Sequence, residues 1–190
     1  MSVVNPKYGY IFLHEPRTGG RSIEAALMKH EDSYNFDGLH HISAVQMVVG
    51  KYLTNEQFHR FTKFRVIRNP YDWLATVHAG YAHHCALEDW VLSDAAKSFM
   101  LNGTLFWRYY SIADFELKFE NLEAGVNAVL EECGAPEVEL PHLGKTENKI
   151  DWEKLTTGTV RGMELVYPDI TVYNYNIWKT NLGGLFHKWR

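Results

Sequence analysis

The residues best suited to hold an anion form a short cationic turn at positions 16–22, with the sequence PRTGGRS. A predicted strand, residues 9–14, precedes this turn, and a helical pattern follows it. Backbone N–H groups at the start of a helix point toward a ligand, and the positive end of the helix dipole favours negative charge. Arg17 and Arg21 add positive charge. These residues alone fit two interpretations equally well: a phosphate or sulfate site, and an ordinary strand–helix connection.

Neither this turn nor a second glycine–lysine pair has the spacing of a Walker A loop. The turn lacks the pattern GxxxxGK[ST], in which glycines and a lysine cradle the phosphates of a nucleotide. Gly144-Lys145-Thr146 has the final letters of that pattern, but no predicted strand precedes it and no earlier glycine stands at the required offset. The sequence therefore does not predict a nucleoside triphosphatase of the usual type.

A second arginine-bearing block lies at residues 64–76, FRVIRNPYDWLAT. Arg68 directly follows a predicted strand, 63–67, and Thr76 lies on the helix predicted after it. Arginine pairs bidentately with phosphate and a hydroxyl adds a hydrogen bond. Taken by itself, however, this block slightly favours a structural arginine that satisfies carbonyl groups at the sheet edge. Because ligands of α/β sheets bind beyond the carboxyl ends of the strands, both arginine-bearing turns are expected at one edge.

The elements that must position these residues alternate along the chain. Strands are predicted at 9–14, 63–67 and 115–119. The helices between them are predicted to start at Ser22 as a cap, at capping boxes that begin with Ser43 and Thr54, and at Pro70. A further helix is predicted near 159–167, and an apolar stretch follows at 170–178. This alternation is typical of an α/β fold, and we expect a three-layer sandwich with a largely parallel central sheet. No linker or internal repeat divides the chain, so one domain is predicted over 1–190, with 181–190 as a surface tail.

Composition narrows the class of protein. The chain has 190 residues with 46% hydrophobic and 22% charged residues, which is typical of a globular protein. Its net charge of −4 disfavours a nucleic-acid partner. Two cysteines are too few for a disulfide framework, and neither a signal peptide nor an apolar run of membrane-spanning length is evident. We therefore expect a cytoplasmic protein without a membrane partner.

Taken together, the two arginine-bearing blocks resemble those of sulfotransferases that use 3′-phosphoadenosine 5′-phosphosulfate (PAPS). Residues 16–22 resemble the family's PKTGGTS-type loop, which holds the 5′-phosphosulfate. Residues 64–76 resemble its second block, roughly FxxVRNPYDRLVS, which binds the 3′-phosphate. His41-Ile-Ser-Ala is similar to the histidine segment of the carbohydrate sulfotransferase branch. Phe119-Glu-Asn-Leu and residues 141–175 resemble later segments, so the resemblance extends over about residues 9–176.

The resemblance implies a P-loop-like nucleotide-binding architecture, PAPS as co-substrate and no metal. It implies transfer of a sulfuryl group to a hydroxyl acceptor, expected to be a carbohydrate. It assigns the phosphosulfate to Arg17, Thr18, Gly19, Gly20, Arg21 and Ser22, the 3′-phosphate to Arg68 and Thr76, and a nucleotide contact to Lys145. His41 becomes the general base, since histidine titrates near neutral pH, and its neighbour His40 is the rival among ten histidines.

Three positions differ from the family pattern and keep other functions open. Arg17 stands where the family has the lysine that helps the leaving phosphate depart, Arg21 replaces a threonine, and Trp73 replaces an arginine. Arginine is always protonated and is a poor proton donor, so Arg17 is predicted to be catalytic as a hydrogen-bonding cation rather than as a proton donor. The alternatives are a catalytically weak or inactive nucleotide-binding module and a P-loop-like small-molecule kinase. The oligomeric state is left open.

Overall fold

The computed structural model describes residues 1–36, 38–39, 41–42, 44–68, 70–81, 84–96, 112–144 and 186–188. The chain divides into two compact units. The first consists of Met1–Arg68, Trp107–Lys145 and Gly184–Arg190, and the second of Asn69–Phe106 and Thr146–Gly183. The prediction of one domain over the whole chain stays a prediction. No helix within the described ranges has the length and apolar character needed to cross a membrane.

The first unit contains a mixed sheet with the strand order β3-β1-β2-β4-β5-β6. The strands are β1 (Val3–Asn5), β2 (Tyr10–Leu13), β3 (Tyr34–Asn35), β4 (Thr62–Ile67), β5 (Phe115–Lys118) and β6 (Phe186–Lys188). The three central strands β2, β4 and β5 run parallel, whereas β1, β3 and β6 pair antiparallel with their neighbours. The predicted α/β class is confirmed, but the described sheet is mixed rather than largely parallel. Its pairings β2–β4 and β4–β5 are parallel and lie at the centre, where the three predicted strands are, and its other three pairings are antiparallel.

The helices begin at chemically recognisable positions. They are α1 (Gly20–Leu27), α2 (Ala44–Val49), α3 (Asn55–Arg60), α4 (Pro70–Tyr81), α5 (Leu87–Val91) and α6 (Leu122–Glu132). The predicted capping box of α3 is confirmed, because Gln57 N donates to Thr54 Oγ1 and Thr54 N donates to Gln57 Oε1. The prediction of Ser22 as the cap of α1 is wrong: Gly19 is the N-cap, and Ser22 lies in the first turn. Ser43 lies outside the described residues.

The hydrophobic core of the described part forms two clusters, one on each face of the sheet. Side chains alternate along a strand, so Tyr10 and Phe12 of β2 join one cluster while Ile11 and Leu13 join the other. The first cluster takes in apolar residues of α1 and α6, and the second takes in residues of α2. Packing on both faces holds β2, β4 and β5 in place relative to one another. It therefore also positions the turns that follow these strands.

The predicted surface tail at 181–190 requires a correction. Residues 186–188 form β6, which pairs antiparallel with β5 in the register Glu116↔His187. Three residues carry too little alternation to be recognised as a strand, and only a neighbour distant in sequence supplies their hydrogen bonds. The helix predicted near 159–167 and the apolar stretch at 170–178 lie outside the described residues.

Candidate functional site

The cationic turn joins β2 to α1 through backbone conformations that few residues adopt. Arg17 has a φ of 61° and Gly19 a φ of 80°, both in the left-handed region. The Thr18 hydroxyl donates to the Glu15 carbonyl over 2.9 Å, and this bond closes the turn. The start of α1 has neither a side-chain cap nor an acidic residue in its first turn. The positive end of the α1 dipole is therefore not offset by a carboxylate of that turn.

Gly20 packs directly on the imidazole of His14. A Cβ atom at Gly20 would lie 2.0 Å from His14 Cδ2, so only glycine allows α1 to begin here. The His14 side chain is buried and stacks on Phe12 of β2. The first turn of α1 thus rests on a ring that belongs to the end of the neighbouring strand. This contact determines where the helix amides lie relative to the sheet.

His41 reaches the same strand end from a distant part of the sequence. Its Nδ1 lies 3.2 Å from the His14 carbonyl oxygen, and the two imidazole rings meet edge to face with centroids 5.1 Å apart. A carbonyl oxygen only accepts, so Nδ1 carries the proton in this bond. The neutral imidazole of His41 therefore has its lone pair on Nε2, which is the form that a general base requires. The rival residue, His40, lies outside the described residues.

Arg68 extends from the end of β4 to the cationic turn. Its Nη1 donates to the Arg17 carbonyl over 3.2 Å. Its guanidinium carbon, Cζ, lies 4.1 Å from the centroid of the Phe119 ring, at the end of β5. Since β2, β4 and β5 are parallel neighbours, their carboxyl ends meet at one edge of the sheet. The first unit thus brings Arg17–Ser22, His41 and Arg68 together.

The segment that ends at Gly144 runs beside the start of α1. Leu143 N donates to Ser22 Oγ over 3.1 Å, and a Cβ at Gly144 would lie 3.6 Å from Arg21 side-chain atoms. Arg21 is exposed, whereas Ser22 is buried. Lys145, predicted to contact the nucleotide, directly follows this segment and lies outside the described residues.

Thr76 belongs to α4, in the second unit. Its side chain is buried, and its hydroxyl donates to the Asp72 carbonyl one turn earlier over 2.7 Å. A hydroxyl has one proton to donate. In this rotamer that proton is engaged by the helix backbone, so a bond from Thr76 to a phosphate requires rotation of the side chain. Its predicted role at the 3′-phosphate stays a prediction.

A buried ion cluster, Glu15, Arg65 and Glu116, lies on these same strands and was not predicted. Arg65 Nη1 donates to Glu15 Oε1 over 3.0 Å, and Arg65 Nε donates to Glu116 Oε1 over 2.8 Å. Burial raises the pKa of the Glu15 carboxyl, and the charge of Arg65 opposes that rise. Glu15 precedes the cationic turn in sequence, and the structure pairs its carboxylate with Arg65 of β4. The signal that was missed is charge at alternating positions within apolar strands.

The described residues define an α/β protein whose central strand ends carry a cationic turn, a second arginine and a histidine. No protein-family model matches the chain, and comparisons with curated proteins and with solved structures found no similar protein. The assignment of function therefore depends on the residues and their geometry.

Proposed function

We propose that the protein is a sulfotransferase that moves a sulfuryl group from PAPS to a hydroxyl acceptor, with a carbohydrate as the expected acceptor. One observation carries the proposal: His41 contacts the His14 carbonyl just after β2, and Arg68, far from His41 in sequence, contacts the Arg17 carbonyl within the cationic turn. We assign to the chain a three-layer, P-loop-like architecture around this edge. The resemblance of residues 16–22 and 64–76 to the sulfotransferase blocks supports the same assignment.

In this proposal the donor binds by fixed positive charge rather than by a metal. The amides at the start of α1, with Arg17, Thr18, Arg21 and Ser22, hold the phosphosulfate. Arg68 holds the 3′-phosphate, and the sequence resemblance also assigns Thr76 and Lys145 to the nucleotide. Charge that develops on the equatorial oxygens during sulfuryl transfer requires donors already in place, and preorganised donors supply most of such catalysis.

The reaction breaks one bond and forms another at sulfur. The acceptor hydroxyl oxygen attacks the sulfur atom in line with the bond between sulfur and the bridging oxygen, and that bond breaks. The electron pair leaves with 3′-phosphoadenosine 5′-phosphate, and the sulfuryl group stays on the acceptor oxygen. His41 Nε2 takes the hydroxyl proton, because the hydrogen bond of Nδ1 to His14 leaves the lone pair on Nε2. Arg17 stabilises the leaving phosphate by charge.

A second candidate, a nucleotide-binding module without transfer activity, is favoured by Arg17 alone. The family's lysine at this position can give up a proton, whereas a guanidinium stays protonated. The backbone carbonyl of Arg17 also accepts a hydrogen bond from Arg68, so the Arg17 backbone has a structural role in the site. The two candidates bind the same nucleotide and differ only in transfer.

Calorimetric titration tests the nucleotide site. We expect 3′-phosphoadenosine 5′-phosphate to bind with equal affinity with and without Mg²⁺, and ATP to bind at least about tenfold more weakly, which corresponds to about 1.4 kcal/mol. Arg68→Gln should weaken binding of the bisphosphate, and Arg60→Gln, at an exposed position in α3, is the matched control. Binding of ATP that requires Mg²⁺ would favour the kinase alternative. If neither nucleotide binds, the nucleotide site does not exist.

Transfer of labelled sulfate from PAPS to a panel of carbohydrate and other hydroxyl acceptors separates enzyme from module. We expect His41→Ala to lower kcat by about 10²- to 10⁴-fold, the usual contribution of a general base. The exposed histidine His59, on α3, provides the control His59→Ala, which should keep full activity. Arg17→Lys should retain or increase the rate. Full activity of His41→Ala on every acceptor would remove His41 from the mechanism.

A further inference from the structure

Phe119 lies between the cationic turn and Arg68, at the end of β5. It begins the short 3₁₀ turn Phe119–Asn121, which connects β5 to α6. Its side chain is half-buried and packs against the first hydrophobic cluster. The ring is therefore supported by the core on one side and presents its other surfaces to the strand-end edge.

Two contacts of the Phe119 ring concern the proposed site. The guanidinium of Arg68 lies over the ring face, with Cζ 4.1 Å from the centroid. The ring atom Cε2 lies 3.1 Å from the place of a Cβ at Gly19, the N-cap of α1. One aromatic ring thus lies against both the N-cap residue of α1 and the arginine assigned to the 3′-phosphate.

Stacking on an aromatic face constrains an arginine differently from an ion pair. The guanidinium is a rigid plane whose N–H groups form a fork that matches phosphate. The Phe119 face holds that plane, and the bond from Nη1 to the Arg17 carbonyl prevents its rotation in the plane. The direction in which Arg68 presents its N–H groups is then decided before any anion arrives, so little rotamer freedom is lost on binding.

We propose that Phe119 is a positioning residue that orients Arg68 for the 3′-phosphate of the nucleotide. This inference rests on the proposed nucleotide site. It makes selectivity for a 3′-phosphate depend on an aromatic side chain that acts through Arg68. The dependence concerns only ligands that carry this phosphate, since adenosine 5′-phosphate has no group for Arg68 to hold.

The test compares calorimetric affinities for 3′-phosphoadenosine 5′-phosphate and adenosine 5′-phosphate. We expect Phe119→Leu to weaken binding of the bisphosphate by about 3- to 30-fold, the range of a cation–π contact. Binding of the monophosphate should weaken by less than about twofold. Phe119→Tyr should restore the wild-type affinity because it keeps the ring face. Arg68→Lys should also weaken binding of the bisphosphate, even though the lysine keeps the positive charge. The control is Phe58→Leu, which removes a half-buried ring under Lys63.

Coupling between the two residues decides whether Phe119 acts through Arg68. In an Arg68→Gln background, Phe119→Leu should change the affinity for the bisphosphate by less than about twofold. An equal loss for both nucleotides, failure of Phe119→Tyr to rescue, or additive effects in the double variant would overturn the inference while leaving the nucleotide site standing. Absence of nucleotide binding by the wild-type protein would overturn both.

Discussion

Gly20 and the His14 ring share a space too small for one additional methyl group. A Cβ at residue 20 would lie 2.0 Å from His14 Cδ2, well inside van der Waals contact, and the His14 side chain is buried. Because His14 also accepts the hydrogen bond of His41 through its carbonyl, a change at Gly20 disturbs both the helix start and the proposed base. The chemistry of the turn therefore depends on a residue without a side chain.

Gly20→Ala is predicted to weaken binding of 3′-phosphoadenosine 5′-phosphate by at least about tenfold, because α1 or the His14 ring must shift. Gly134→Ala is the matched control. A Cβ there meets nothing within 4 Å, but the backbone φ is 66°, so we expect a loss of about 1 kcal/mol in stability and no loss of binding. Calorimetry and urea unfolding measure the two effects. Unchanged binding by Gly20→Ala would contradict the assignment of this turn.

Tyr10 gives a prediction about alkaline pH. Its side chain is fully buried, its hydroxyl lies 2.9 Å from His30 Nδ1, and burial raises the pKa of the phenol to about 12. The unfolded phenol has a pKa near 10, so above about pH 10 the unfolded state loses a proton that the folded state keeps. Stability should then fall with rising pH, by about 1–2 kcal/mol from this group at pH 11–12.

Urea unfolding at pH 8 and pH 11 tests this dependence on Tyr10. The loss of stability between these two pH values should be smaller for Tyr10→Phe than for the wild-type protein, because the variant has no phenol to ionise at this position. Tyr52→Phe, at an exposed position, is the control for removing a tyrosine hydroxyl. An identical loss in the wild type and Tyr10→Phe would show that this phenol does not contribute.

At the scale of elements, the parallel strands β4 and β5 are held together by charge as well as by apolar packing. Arg65 and Glu116 are register partners in adjacent strands, and both side chains are buried. Glu15, just after β2, adds its carboxylate to the same guanidinium. This cluster links the interiors of β4 and β5 to Glu15, which follows β2 and precedes the cationic turn. Removing the cation would leave two carboxylates without their shared partner.

Arg65→Met is therefore predicted to destabilise the protein by about 3–5 kcal/mol at pH 7, the usual effect of breaking a buried ion pair. The loss should be smaller at pH 5, where the stranded carboxyls can take up protons. Arg60→Met is the matched control, since Arg60 pairs with Glu56 on the surface and its side chain is 73% exposed. For Arg60→Met we expect the free energy of unfolding to fall by less than about 0.5 kcal/mol. Equal losses in urea unfolding would contradict a special role for the buried cluster.

At the scale of the whole molecule, the sheet brings together residues that the chain order keeps apart. β6, from residues 186–188, lies beside β5 and covers an edge that would otherwise expose unpaired backbone groups. The antiparallel strands β1 and β3 extend the opposite side. The parallel centre, where the site residues lie, is thus flanked on both sides by strands outside the predicted pattern.

Removal of residues 184–190 is predicted to lower the free energy of unfolding by about 1–3 kcal/mol, because β5 loses the hydrogen bonds of a short strand. A glycine–serine segment of equal length should restore little of this loss, since it pairs poorly. Urea unfolding of the three proteins measures the effect. Full stability of the shortened protein would indicate that the β5–β6 pairing contributes nothing in solution.

Periodicity was sufficient to find the three central strands and the helices that follow them. Hydrophobic alternation and helix caps are local signals, so β2, β4, β5 and the capping box of α3 could be read directly from the chain. The strands β1, β3 and β6 have two or three residues each and carry no such signal. Their existence depends on a neighbouring strand that supplies hydrogen bonds.

The sequence by itself determined the chemical character of the turn at 16–22: its arginines, its glycines and the helix start behind them. It also indicated that Arg68 belongs to the same sheet edge, because parallel strands end together. Only the tertiary structure decided that Gly19 rather than Ser22 caps α1, that His14 lies under Gly20, and that Phe119 lies under Arg68. These contacts join residues from separate strands, and their distances follow from sheet register and core packing, which local sequence does not encode.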